Sequence, residues 1–249
     1  MNWPNESAEY RRAREELLQA EVELRRREEA IAAQRRALPV GGEVTGDYLF
    51  ESATGPKRIA ELFATGKETL YLYNFMFLPT DDGNPLGRPC PACTSIIDAL
   101  DGAFRHLLDR IDVAVVAKAP LEQFAAWGTE RGWRFAPLYS SAGTTWNRDY
   151  HAESDERGQL PVAHVFTREG ETVRHRWSSE LLWAESDPGE HPRHVDYGWP
   201  LWKVLDLTPA GRGTDWHPQY SYGDNRGHRQ EEGNDGLELE GQLRRDLLV

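Results

Sequence analysis

Leu70-Tyr71-Leu72-Tyr73-Asn74-Phe75-Met76-Phe77-Leu78 is nearly unbroken in apolar and aromatic residues. Such a run reads as a strand covered on both faces. After a turn-rich stretch from Pro79 to Pro89, Ile97, Leu100, Phe104, Leu107 and Ile111 follow at steps of three and four, the spacing of a helix. Val113 to Ala117 is a second short apolar run. Pro120, Leu121, Phe124 and Ala125 then open another helix, which Gly132 ends. The order strand, helix, strand, helix predicts a parallel sheet with right-handed crossovers.

Downstream, Phe135 to Tyr139 suggests one more strand. Val162 to Arg168 and Thr172 to Trp177 read as a hairpin turning at Glu169-Gly170, followed by a short helix over Ser178 to Ala184. Leu201 to Leu207 reads as an additional strand, and Gly223 to Gly241 is polar and Gly-rich enough to predict a mobile tail. Upstream, Glu6 to Ala37 is dense in Glu and Arg, and Tyr10, Leu17, Leu24, Ile31 and Leu38 recur every seven residues. That is a long helix with one apolar seam. The second seam position holds Ala13, Ala20, Arg27 and Gln34, so the helix is expected to lie on its own body or, slightly favoured, on a second subunit as a homodimer. Pro39-Val40-Gly41-Gly42 ends it. The expected organisation is a helical arm over 1–39, an α/β domain over 40–215, and a polar tail over 216–249.

The chain has 249 residues, 29 basic against 41 acidic, and a formal charge of -12. That balance opposes the basic footprint needed to neutralise phosphates, so nucleic-acid binding and adhesion to anionic membranes are not expected. No window approaches 18 consecutive apolar residues, and Met1 to Arg14 is charged where a signal peptide is apolar, which points to a soluble, cytoplasmic protein. The two cysteines, Cys90 and Cys93, do not make a disulfide scaffold. Their chemistry is local.

Cys90-Pro91-Ala92-Cys93 follows a buried strand and begins a helix. Pro91 suits the first helical position, which makes Cys90 the N-cap residue with its sulfur near unpaired backbone N–H groups. A thiolate there gains from the helix dipole, so Cys90 is the expected nucleophile, and Cys93, one turn inward, the resolving thiol. In Leu160-Pro161-Val162-Ala163-His164-Val165-Phe166, a proline immediately precedes an apolar strand.

With these two motifs the chain resembles the thioredoxin superfamily, whose members carry Cys-x-x-Cys at the first helix after a strand and a cis proline before the third core strand. The resemblance implies a thioredoxin-like three-layer α/β sandwich, here with a long N-terminal helix and a C-terminal extension. It also implies that Pro161 aligns a bound substrate chain. The run Phe135 to Ser141 with Asp149-Tyr150 is similar to the peroxiredoxin branch. The peroxiredoxin signature Pro-x-x-x-Thr-x-x-Cys is absent, since Gly83 and Gly87 fill its first two places before Cys90, and Leu86 and Cys90 fill them before Cys93. A closer resemblance is to the bacterial thioredoxin-like family called domain of unknown function 899. It rests on Tyr-Asn-Phe-Met-Phe (73–77), Cys-Pro-Ala-Cys (90–93), Leu-Asp-Gly (100–102), Ala-Pro-Leu (119–121), Arg-Gly-Trp (131–133), His175 with Ser178, and Leu-Asp-Leu-Thr-Pro-Ala-Gly-Arg (205–212).

Other residues could add polar chemistry. Lys118 ends a strand at the sheet's carboxyl edge, where open α/β sheets bind ligands, and could hold a thiolate or an anionic substrate. Trp146-Asn147-Arg148-Asp149-Tyr150-His151 reads as a functional loop, with Trp146, Asp149 and Tyr150 as substrate contacts, or equally as a loop merely packed by its aromatics. His164, alternating with apolar residues, reads as an interior or edge histidine. His191 and His194 look like loop residues. The first functional reading is a thiol–disulfide oxidoreductase acting without cofactor on a protein or small-molecule disulfide. A second is a copper or zinc site built from Cys90, Cys93 and a histidine, His151, His164 or His175, since copper-delivering relatives of the thioredoxin fold use two cysteines and a distant histidine. A third is a binding or assembly protein with idle, buried cysteines.

Overall fold

The computed structural model describes residues 3–80, 84, 86–185, 196–213 and 216–222. The chain divides into two compact units, Met1–Gly41 and Gly42–Val249. The first is a single helix, α1 (Ala8–Arg36), whose first turn is capped by the Ser7 hydroxyl accepting the Tyr10 N–H at 3.0 Å. Its seam residues Tyr10, Leu17 and Leu24 are exposed.

The second unit runs β1 (Leu49–Phe50), β2 (Lys57–Arg58), β3 (Thr69–Phe75), β4 (Phe77–Leu78), β5 (Arg88–Pro89), α2 (Pro91–Arg110), β6 (Asp112–Ala117), α3 (Leu121–Arg131), β7 (Leu138–Ser140), α4 (Trp146–Asp149), β8 (Glu153–Ser154), β9 (Gly158–Gln159), β10 (Ala163–Glu169), β11 (Thr172–Ser178) and α5 (Pro200–Leu205). Five strands form the main sheet in the order β11-β10-β3-β6-β7. β3, β6 and β7 are parallel, and β10 and β11 return antiparallel on the other side. Right-handed crossovers through α2 and α3 must place both helices on one face. The packing agrees. Phe104 of α2 and Phe124 of α3 meet Tyr73, Phe75, Val113, Val115 and Ala117, with Trp202 of α5 in the same cluster.

Strand alternation sends the neighbouring residues Leu70, Leu72, Ala114, Val116 and Phe166 to the opposite face, where Tyr48, Phe50, Ile59, Leu62, Phe63 and Trp146 cover them. The result is the expected thioredoxin-like α/β sandwich. A buried carboxylate locks one corner of it: Asp101 on α2 accepts the N–H groups of Arg134, Phe135 and Ala136 at 2.9–3.1 Å. Among the described residues no helix is long and apolar enough to cross a membrane.

Several expectations are corrected. The Leu70–Leu78 strand breaks at Met76, whose carbonyl turns to accept the Cys90 N–H at 3.0 Å, while Phe77 and Leu78 pair with Pro89 and Arg88 in a separate ribbon. The strand expected over Phe135 to Tyr139 shortens to Leu138–Ser140, because the N–H groups of Phe135 and Ala136 are committed to Asp101. The helix expected over Ser178 to Ala184 is one 3-10 turn, Glu180–Leu182. The expected strand over Leu201 to Leu207 is helix α5, started by Pro200, with Trp202 buried against the Phe104 cluster. Trp146 to Asp149 is a short helix rather than a loop. His191, His194 and Gly223 to Gly241 lie outside the described residues. Residues 216–222, assigned to the tail, pack on the body: Trp216 meets Trp202 edge-on at 5.7 Å, and Tyr220 meets Trp127 at 5.3 Å.

Candidate functional site

Cys90 is the N-cap of α2, with Pro91 at the first helical position. Its Sγ accepts the Cys93 N–H at 3.5 Å, ordinary for the large sulfur atom. Neither cysteine is in a disulfide. One turn in, Cys93 Sγ takes a hydrogen bond from the Tyr73 hydroxyl at 3.2 Å. Tyr73 reaches it because β3 points residues 71, 73 and 75 toward the helices. Burial, then Cys93 itself, holds the Tyr73 phenol well above its usual range, so it stays protonated and remains a donor. Tyr73 is a site residue that the sequence reading missed. The alternation of the buried run was the signal that could have found it.

The helix start expected to present Cys90 as nucleophile is closed. Cys90 is 1% and Cys93 0% exposed, inside the cluster that includes Met76, Phe77, Leu78 and Ile97. Residues from distant sequence also pack at the helix start. The Tyr220 hydroxyl donates to the carbonyl of Pro89, the residue before Cys90. Arg131 Nη1 holds the Tyr220 carbonyl at 2.6 Å, and the Trp127 indole beneath Tyr220 donates to Thr94 Oγ1 at 3.1 Å.

Pro161 sits at the centre of a γ-turn, the Val162 N–H reaching back to the Leu160 carbonyl at 3.1 Å. All peptide bonds among the described residues are trans, including Leu160–Pro161, so the cis proline implied by the resemblance is not formed. The turn leaves Leu160 and Val162 both buried in one small cluster. Two residues earlier, the Gln159 amide exchanges hydrogen bonds with both backbone groups of Phe77, which ties this segment to the neighbour of Met76.

Lys118 spends its charge on Glu153, with Nζ 2.6 Å from Oε2. Trp146 is fully buried, so it is not a ligand contact. Its indole donates to Asn74 at 3.0 Å, and its ring supports Tyr150, stacked at 4.1 Å. Asp149, Tyr150, His151, His164 and His175 converge on a cavity of about 940 Å³. That cavity is on the Trp146 face of the sheet, opposite the cysteines, because His164 packs with Trp146 and Phe166 while Ala163 before it faces the cysteine cluster. The metal set Cys90, Cys93, His151 and His175 is therefore split by the sheet, and among the described residues no group of three or more His, Cys, Asp or Glu side chains could hold a metal ion.

Solved structures similar to this chain include a mutant of peroxiredoxin Q from Xanthomonas campestris, at 12% identity and a TM-score of 0.44, covering 66% of this chain and 97% of that one. Peroxidoxin BcpB from Mycobacterium tuberculosis matches at 16% identity and a TM-score of 0.41, over 68% and 98% of the two chains. A peroxiredoxin-like protein from Aquifex aeolicus matches at 13% and 0.39, over 57% and 75%. No curated protein matches. A family model matches residues 2–230, and the chain belongs to that family, the bacterial proteins of unknown function DUF899.

Proposed function

We propose that the chain is a dithiol–disulfide redox protein that cycles Cys90 and Cys93 between two thiols and one internal disulfide. The observation that carries this reading is the placement of two reduced thiols one turn apart at the start of α2, the second of them hydrogen-bonded by Tyr73. The Cys90 thiolate attacks a substrate disulfide, forming a mixed disulfide and expelling one substrate thiolate. The Cys93 thiolate then attacks the Cys90 sulfur, releases the second substrate thiolate and leaves Cys90–Cys93 oxidised. Two electrons pass to the substrate, and the protons shed by the two cysteines end on its thiols. Tyr73 stabilises Cys93 as a thiolate at the moment of attack.

Burial adds a condition to this chemistry. A substrate disulfide reaches Cys90 only when side chains burying it are displaced, so the resting protein is a protected dithiol.

The test is to equilibrate the full chain in glutathione buffers of graded potential, quench with acid and alkylate the remaining thiols. A cooperative two-electron passage from two alkylated cysteines to none supports the reading, as does trapping of a mixed disulfide in Cys93→Ser but not in Cys90→Ser. Two thiols that stay free across the whole range overturn it.

A further inference from the structure

The cavity on the other side of the sheet belongs to no part of the thiol chemistry. It is assembled from four separate stretches, 42–48, 149–151, 162–164 and 175–184, and its size lies at the upper end of the range for small-molecule sites. Its floor depends on an irregularity in β11. Residues three apart on a regular strand point to opposite faces, yet His175 and Ser178 both face His164. The register shift between Val165 and Phe166 sets His164 opposite Ser178 and Phe166 opposite His175, so the bulged strand turns both side chains the same way.

Ser178 Oγ bridges two imidazoles, 2.6 Å from His164 Nδ1 and 2.7 Å from His175 Nε2. A hydroxyl has one proton, so it donates to one ring and accepts from the other. The other nitrogen of His164, Nε2, is buried and has no hydrogen-bond partner among the described residues. Both rings are neutral near pH 7: burial lowers His164 to about 3, helped by His175 and His151, and burial lowers His175 as well.

The walls give the ligand's sign. Among the described lining residues are three carboxylates, Glu43, Asp149 and Glu180, and no Lys or Arg. Glu43 is answered by Arg174 at 3.4 Å. Asp149 and Glu180 have no cationic partner within ion-pair distance among the described residues. Hydroxyls of Thr145 and Tyr48 both donate to Oδ2 of Asp149, at 2.6 and 2.7 Å, and hold it below the ordinary carboxylate range. The rings of Tyr48, Tyr150 and Trp183 also line the cavity, the Trp183 ring with the Arg157 guanidinium 5.4 Å from its centroid on one side. Fixed anions framed by aromatic faces attract a cation twice over, by charge and by the ring quadrupole.

We propose that this cavity is a binding site for an organic cation, a protonated amine or quaternary ammonium group carrying an aromatic or alkyl body, with Asp149 and Glu180 facing the charge.

Calorimetric titration of the full chain with benzylammonium, benzyl alcohol and benzoate, three probes of similar bulk and different charge, tests it. The cation is expected to bind about tenfold or more tightly than the alcohol, and benzoate more weakly than either. Glu180→Gln removes no ion pair among the described residues, and it is expected to weaken the cation several-fold with the alcohol unchanged. Saturable binding of the cation lost in Trp183→Ala supports the aromatic wall. Equal affinity for cation and alcohol, preference for benzoate, or no saturable binding of the cation at millimolar concentration overturns the proposal.

Discussion

Acidification from pH 8 to pH 5 is expected to remove about 2 kcal/mol of folding stability through one side chain, His164. In the folded chain its pKa is about 3, against an ordinary value of 6.5, because burial disfavours the imidazolium and His175 and His151 add to the penalty. Stability rises with pH wherever the unfolded state binds more protons. Between 3 and 6.5 the unfolded imidazole is protonated and the folded one is not, so the contribution is whole above 6.5 and is lost as pH falls toward 3. At pH 5 the unfolded ring is protonated about thirtyfold over and the folded ring hardly at all, which gives about 2 kcal/mol. Against a typical total of roughly 5–15 kcal/mol this is a large fraction.

Urea unfolding of the wild type and of His164→Asn at both pH values isolates the effect. Asparagine keeps an amide near the position of Nδ1, beside Ser178, and cannot titrate. The variant is less stable at both pH values, so the quantity compared is the span between them, which should be about 2 kcal/mol smaller in the variant. Titration of Asp149 and His175 is common to both proteins and cancels. Equal spans, within about 0.5 kcal/mol, refute the argument. So does a His164 ring signal in the NMR spectrum of the wild type that titrates near pH 6.

Tyr73→Phe removes the donor to Cys93 and with it about 0.5–1.5 kcal/mol of reduced-state stabilisation, so the dithiol–disulfide potential should fall by roughly 10–30 mV in glutathione equilibrium. An unchanged potential shows that the bond does not act on the sulfur. Tyr220→Ala should quicken native-state alkylation of Cys90 by about an order of magnitude or more with little loss of global stability, since it removes the hydrogen bond to Pro89 and the ring contact with Trp127. A rate that stays slow until unfolding means that the cover lies elsewhere. Asp101→Asn should cost about 1–3 kcal/mol by urea unfolding, because a neutral amide replaces a carboxylate that collects N–H groups from Arg134, Phe135 and Ala136. A loss below about 0.5 kcal/mol shows that the corner is not held by this group.

The parts of the fold written in the sequence are those whose cause is local. Pro91 after Cys90 and the Ile97, Leu100, Phe104 stripe specify α2 and its cap, and Gly132, in the left-handed conformation with φ 74°, ends α3. Leu201 to Leu207 misled because Leu201, Trp202, Val204 and Leu205 suit a short strand by composition. Pro200, a helix-start signal, carried the right answer. The burial of the cysteines had no local trace at all. The sulfurs lie in a cluster that brings Met76, Phe77 and Leu78 together with α2, and Tyr220 reaches Pro89 beside them from 131 residues away. The cavity was equally hidden, since a bulge decides which of His175, Arg176 and Ser178 face one another, and no single stretch contains its walls.

One strand carries both sites on consecutive residues. Tyr73 faces α2 and its hydroxyl ends on Cys93, whereas Asn74 faces the other way and holds the Trp146 indole on which Tyr150 is stacked. The strand between them is rigid, paired with β6 on one side and β10 on the other from Leu70 to Tyr73. A close-packed sheet keeps side chains on its two faces chemically separate while fixing their relative positions. That separation is why the metal reading fails here and why thiol chemistry and cation binding can coexist. Neutral imidazoles and carboxylates stay on one face, two sulfurs and a phenol on the other, and a protein with this sheet needs no compromise between them.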